Sequence, residues 1–172
     1  MNEPECAVAD TPLGPVAIRY QTHPFRLTAL DLPEAGRLRQ QHAAGTSEIE
    51  ELQQIFELIH GYFNGRPIFP PWHFLVMAHL TELQRKVLYE TAQIPYGSLK
   101  TYKQMAAAIG QPRACRFVGS ALARNPFPLI IPCHRVIRSD GRIGNFGAGP
   151  EIKRWLIDFE AGKPRCDNAD IL

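Results

Sequence analysis

The chain has 172 residues, 45% of them hydrophobic and 21% charged, with a formal net charge of +2. That length holds one medium domain or two small ones sharing an interface, and the composition is globular, not disordered. The longest apolar runs, such as Phe127 to Pro132, fall far short of a bilayer span, and Met1 to Cys6 lacks the basic start and apolar stretch of a secretory signal, so no membrane partner and a cytoplasmic location are expected.

Two textures follow one another. Residues 10 to about 80 carry short β-like pieces, Pro15 to Tyr20 and Leu27 to Leu32, with a loop between them. After a polar stretch, Ile49, Leu52, Ile55, Phe56 and Ile59 recur at intervals of three and four, which predicts a helix. Gly61 to Pro71 is dense in Gly, Pro and aromatics and predicts a structured loop. From Thr81 the reading turns mostly helical, beginning with Thr81 to Thr91, where Thr81 is the cap and Leu83, Val87 and Leu88 are the apolar positions.

Pro95-Tyr96-Gly97 breaks that helix. Two more are expected, Thr101 to Ile109, closed by Gly110-Gln111-Pro112, and Arg113 to Ala123, closed by Asn125-Pro126. Two short helices about a Gly-containing turn fit a helix-turn-helix, though a plain helical hairpin is the commoner outcome of such spacing. Leu129 to Pro132 and Val136-Ile137 read as short buried extended pieces, and Ser139-Asp140-Gly141 as a turn. The last helix opens at Pro150-Glu151 and ends before Gly162, with an apolar stripe of Ile152, Trp155, Leu156 and Phe159.

Charge and cysteines single out the second half. Arg113, Arg116, Arg124, Arg135, Arg138 and Arg142 face a lone Asp140 in that stretch. A basic surface suits nucleic acid, although charge alone favours a solvated face. Cys6, Cys115, Cys133 and Cys166 show neither CxxC spacing nor a Cys/His cluster, so free thiols and no metal are expected. Cys133 precedes His134, a nucleophile beside a base, and the thiolate is the attacking form. Neighbours in an extended chain point to opposite faces, so coupling them needs a water relay or a local turn. An isolated Cys-His dipeptide is more often structural; Pro128, Pro132 and the apolar surroundings raise the odds of chemistry here.

Pro132-Cys133-His134-Arg135-Val136 resembles the acceptor motif of the O6-alkylguanine-DNA alkyltransferases, the methylated-DNA–protein-cysteine methyltransferase family. The match continues upstream in Ile94-Pro95-Tyr96-Gly97, Thr101-Tyr102, Arg116-Phe117-Val118-Gly119 and Ala123-Arg124-Asn125-Pro126. Downstream it runs through Gly141 to Phe146 and Lys153-Arg154-Trp155-Leu156, and Thr11 to Pro15 with Leu27 to Leu30 resembles the family's N-terminal part. Roughly residues 10 to 162 are covered.

The resemblance implies an α+β fold. A small N-terminal α/β domain of ribonuclease H-like type would span 1–80. A mostly helical DNA-binding and alkyl-acceptor domain with a winged helix-turn-helix-like motif would span 81–162, and a tail 163–172. It implies a single-turnover repair protein that flips O6-alkylguanine, and in some cases O4-alkylthymine, out of duplex DNA and keeps the alkyl group on Cys133. The other reading is a damage sensor that binds the lesion without transfer. By resemblance, His134 is the base acting through a water, Glu160 holds it, Tyr102 donates to guanine N3, and Asn125 forms the turn that ties the recognition helix to Cys133. Arg116 is the finger that fills the vacated stack, with Thr101, Tyr102, Ala114, Gly119 and Arg124 at the minor groove. Leu122, Pro128, Cys133, Val136, Phe146 and Gly147 form the substrate pocket, with the carbonyls of Cys133 and Val136 reading the 2-amino group and the Gly147 N–H addressing O6. The family often has Tyr at the position of Phe146 and Ser at that of Gly147. The zinc site of some relatives is not expected, since Cys6 lacks a neighbouring cysteine and His73 alone is insufficient. No cofactor is needed, and the protein is expected to be a monomer.

Overall fold

The computed structural model describes residues 3–33 and 49–163. Cys166 and all but the first residue of the expected tail lie outside these. Three strands open the chain: β1 (Glu5–Thr11), β2 (Gly14–Thr22) and β3 (Phe25–Asp31), an antiparallel meander in sequence order. Val16, Ile18 and Tyr20 of β2 point into the core while Pro15 and Arg19 face outward, the period-two pattern of a sheet covered on one side. Strand β1 was not legible because its inward residues, Ala7 and Ala9, are too small to mark an apolar face.

Helix α1 (Glu50–Phe63) buries Leu52, Ile55, Ile59 and Tyr62 and packs against β1, with Glu50 and Glu51 favourably placed on the positive end of its dipole. It runs through Gly61, where a loop was expected. Gly in a helix costs about 1 kcal/mol relative to Ala, less than the roughly 1.5–3 kcal/mol from burying one large side chain, here Tyr62 at 0% exposure.

Helix α2 (Glu82–Ala92) starts with a capping box between Thr81 and Gln84, and α3 (Tyr102–Ala108) with one between Thr101 and Gln104. Helix α4 (Cys115–Ala123) packs on α3 and α2. The short strands β4 (Lys100–Thr101) and β5 (Val136–Ile137) pair in parallel, and α5 (Pro150–Glu160) ends the described chain. One hydrophobic cluster runs through both halves, from Ile18 and Ile55 to Val118, Ile131 and Leu156. A main-chain bond joins them, Leu30 N–H to Pro126 O at 2.8 Å, while Leu27 N–H to Phe74 O at 2.8 Å ties the sheet to the segment before α2.

One expectation fails around Cys133. Leu129 to Pro132 is not extended. Ile131 N–H donates to Phe127 O at 2.8 Å, and Leu129 takes a left-handed φ of 69°. Cys133, His134 and Arg135 form a single 3-10 turn. The reason is an Asn side chain that templates the loop, a bond that periodicity cannot reveal.

Candidate active site

The residues between α4 and β5 are arranged by Asn125. Its Oδ1 accepts from Phe127 N–H at 3.0 Å, and its Nδ2 donates to Ile131 O at 2.9 Å and to Cys133 Sγ at 3.1 Å. One amide thus closes the turn and touches the sulfur. The chain then makes an inverse γ-turn at Pro132 (φ −79°, ψ 64°), with Cys133 N–H donating to Ile131 O at 2.8 Å. Arg135 N–H bonds to Pro132 O at 2.9 Å, closing the 3-10 turn. Cys133 is buried. Burial raises its pKa, opposed by the Asn125 hydrogen bond and the positive charge of Lys153.

His134 is wholly buried, and its Nε2 lies 2.7 Å from Glu160 Oε1. Glu160 comes from the last turn of α5, where its negative charge opposes the helix dipole. Five donors offset that: His134 Nε2, the Arg135 guanidinium (Nε to Oε2 at 2.9 Å and to Oε1 at 3.2 Å, Nη2 to Oε1 at 2.9 Å), Tyr62 Oη to Oε1 at 2.8 Å, and Gly97 N–H to Oε2 at 2.9 Å. Burial would push the carboxyl up, but the bonds and charges of His134 and Arg135 prevail and hold it at about 2. Burial keeps the His134 pKa below its ordinary value against the pull of Glu160. Because the carboxylate only accepts, the imidazole proton sits on Nε2. Nδ1 is left buried and without a partner among the described residues. Gly97 approaches this carboxylate closely at φ +73°, where a Cβ would lie 3.3 Å from the Glu160 carbonyl oxygen.

A second cluster flanks the thiol. Lys153, 1% exposed, donates to Val136 O at 2.6 Å and to Tyr102 Oη at 3.4 Å, and its Nζ lies over the rings of Tyr102 and Phe146. Burial lowers its pKa to about 8, opposed by the nearby Cys133. The Tyr102 hydroxyl is pushed up by burial and by Cys133. Gly144 (φ +74°) packs on that ring: a Cβ would meet Tyr102 Oη at 3.1 Å.

A cavity of about 210 Å³ opens onto Cys133, walled by Leu122, Asn125, Pro128, Phe146 and Gly147. Leu30, Asp31 and Leu32 at the end of β3 complete it, a contribution from the N-terminal sheet that sequence reading missed. Among the described residues its wall does not include Val136 or Tyr102, and the Val136 carbonyl already accepts from Lys153. On the outside, α4 exposes Arg116, with Arg124 just beyond it, while Ala114 is half-buried. Gly119 abuts Tyr102, and the Thr101 hydroxyl accepts from Gln104 N–H as the α3 cap. Arg135, counted with the surface arginines, is buried, its Nη1 donating to Ile94 O at 2.6 Å. Arg138 pairs with Asp140. Tyr62 and Lys153 also went unmarked: Tyr62 fell in the expected Gly61 to Pro71 loop, and a lysine at a helical position normally reads as surface. Among the described residues no cluster of three or more His, Cys, Asp or Glu could hold a metal ion, and no helix is long and apolar enough to cross a membrane.

The chain is similar to known proteins. The family model described as 6-O-methylguanine DNA methyltransferase, DNA binding domain, matches residues 82–162. A methylated-DNA–protein-cysteine methyltransferase of Methanosarcina barkeri is 32% identical over 92% of this chain and 98% of its own length. The mouse protein of the same name is 34% identical over 90% of this chain and 80% of its own. Among solved structures, Mycobacterium tuberculosis OGT in complex with DNA superimposes with a TM-score of 0.75 at 29% identity, covering 94% of this chain and 95% of that one. The α+β architecture is therefore common to this chain and that structure. With full-length relatives of this kind aligned on a chain whose buried Cys133 sits beside a His134–Glu160 pair, the chain belongs to the methylated-DNA–protein-cysteine methyltransferase family.

Proposed function

We propose that this protein repairs DNA by moving the alkyl group of O6-alkylguanine onto its own Cys133, once per molecule. The observation that carries the reading is the thiol itself: Cys133 Sγ lies against the cavity, bonded by Asn125, next to a histidine whose Nε2 is held by Glu160 and whose Nδ1 has no partner among the described residues. His134 takes the thiol proton through an intervening water, and Lys153 favours the resulting thiolate. The sulfur lone pair forms the new S–C bond as the C–O6 bond breaks. Its electrons pass to the guanine, which leaves as an anion stabilised by a hydrogen bond from Tyr102 at N3 and then takes up a proton. The thioether is stable, so the protein is consumed.

Reaching a base in duplex requires extrusion. We assign that to the exposed face of α4, with Arg116 filling the stack and Thr101, Tyr102, Ala114, Gly119 and Arg124 at the minor groove. In this reading Leu122, Pro128, Phe146 and Gly147 hold the extruded base, with Val136 reading its 2-amino group. Helices α3 and α4 with the β4–β5 pair serve as the winged helix-turn-helix-like motif. The sheet and α1 form a ribonuclease H-like unit, with domain limits of 1–80 and 81–162 and a tail 163–172. The protein works as a monomer in the cytoplasm, without a cofactor.

Incubating the reduced protein with duplex containing O6-methylguanine should add one methyl mass to the peptide holding Cys133. The Cys133→Ala variant should bind the duplex and gain no mass. A folded, reduced wild-type protein that binds the lesion but gains no adduct would instead be a sensor.

A further inference from the structure

Tyr62 belongs to α1, outside the 82–162 segment that the DNA-binding family model covers, yet its hydroxyl reaches the catalytic carboxylate. We infer that Tyr62 is a positioning residue for His134: by donating to Glu160 Oε1, it keeps the imidazole neutral and protonated on Nε2, so that Nδ1 is the nitrogen that accepts. This rests on the reading of His134 as the base.

The geometry is specific. Tyr62 Oη stands 2.8 Å from Oε1 and 3.4 Å from His134 Nε2, beside the 2.7 Å His134–Glu160 hydrogen bond. A carboxylate that close to a buried imidazole favours the imidazolium, and an imidazolium cannot accept the thiol proton. Each further donor to Oε1 weakens the field that His134 feels. Arg135 supplies two, at 2.9 and 3.2 Å, and Tyr62 the third. The tyrosine stays protonated, because burial and Glu160 push its pKa far above the usual range. Its ring contributes only packing: it meets His134 at 6.2 Å between centroids, Tyr96 at 5.7 Å and Phe159 at 6.0 Å. Among the described residues the charged and titratable groups around His134 are Glu160 and Lys153 from α5, Arg135 and Cys133 beside it, and Tyr62 from α1. Of these, only Tyr62 comes from the N-terminal half, so the base is tuned from outside the DNA-binding segment.

The Tyr62→Phe variant keeps the ring and removes the oxygen. Its test is the titration of the His134 ring nitrogens by NMR in the full chain, alongside alkyl transfer from free O6-benzylguanine as a function of pH. In the variant the His134 midpoint should rise by about half a unit, and the acid limb of the transfer rate should move with it, about threefold slower below the midpoint. An unchanged midpoint and limb, with only the melting temperature lowered, would overturn the inference and leave the hydroxyl as a merely satisfied buried group. Should the variant not fold, the wild-type spectrum decides: imidazolium, or a proton on Nδ1, at pH 7 overturns it, whereas neutral, Nε2-protonated His134 supports it. Absence of any alkyl adduct in the wild type would count against the repair reading, and the His134 titration would still decide the role of Tyr62.

Discussion

Replacing Glu160 by Gln tests the buried relay through stability as well as activity. Five donors converge on the carboxylate, from Tyr62, His134, Arg135 and Gly97. An amide offers one acceptor oxygen and turns its NH2 toward the remaining donors, so Arg135 is left as a buried charge without its counterion. Breaking such a pair from one side costs about 3–5 kcal/mol, a fall in Tm of roughly 6–20 °C for a chain of this size. The pH dependence gives a sharper criterion. The carboxyl is held at about 2 in the folded state, against about 4.3 unfolded, so ionisation contributes about 3 kcal/mol at neutral pH. Because the folded value is depressed, that contribution is complete well above pH 4.3 and drains away as pH falls toward 2. By pH 3 about 2 kcal/mol of it is gone. Urea unfolding of wild type and Glu160→Gln at pH 7 and pH 3 should therefore show a gap that narrows by about that amount. A gap of equal size at both pH values would refute the depressed carboxyl, and with it the account of why Glu160 is tolerated at a buried helix C-terminus.

Other outcomes follow from the same geometry. Lys153→Met removes the cation that favours the Cys133 thiolate. The rising limb of transfer rate against pH should move upward, and a shift of one unit reads as about tenfold slower transfer below that limb; an unmoved profile would exclude the electrostatic role. Asn125→Ala leaves the Phe127 N–H without its side-chain partner, at about 1–3 kcal/mol for a group left unpaired in the interior, while the Ile131 carbonyl keeps the Cys133 N–H. Adduct formation should slow along with the drop in melting temperature, and a variant as stable as wild type would show that the Asn125 amide does not hold the turn. Arg116→Ala should impair repair of duplex while sparing reaction with free O6-benzylguanine. Equal losses on both substrates would assign Arg116 to the fold.

How much of this could be read in advance depended on the range of the interaction. Helices α2, α3 and α5 were legible because their caps and breakers are local: Thr81 with Gln84, Thr101 with Gln104, and Pro150 at the start of α5. Strand β1 was not, because alanines carry little alternation signal, and α1 outran its apparent end because burying Tyr62 outweighs the cost of Gly61. The extended reading of Leu129 to Pro132 failed since an Asn side chain, not strand pairing, satisfies that backbone.

The thiol shows the same division. That Cys133 stands beside His134 in a stiff apolar segment, and that the motifs around it resemble an alkyl-acceptor family, was determined by the sequence alone. Tertiary structure alone decided what surrounds them. It brought Tyr62 from 72 positions back to the imidazole that the resemblance had already paired with Glu160, 26 positions on. It also buried Arg135 and Lys153 as the flanking charges and set the end of β3 in the cavity wall. These contacts join residues whose local patterns are independent, and a buried charge is tolerated only where distant partners meet it, so no window along the chain contains the information.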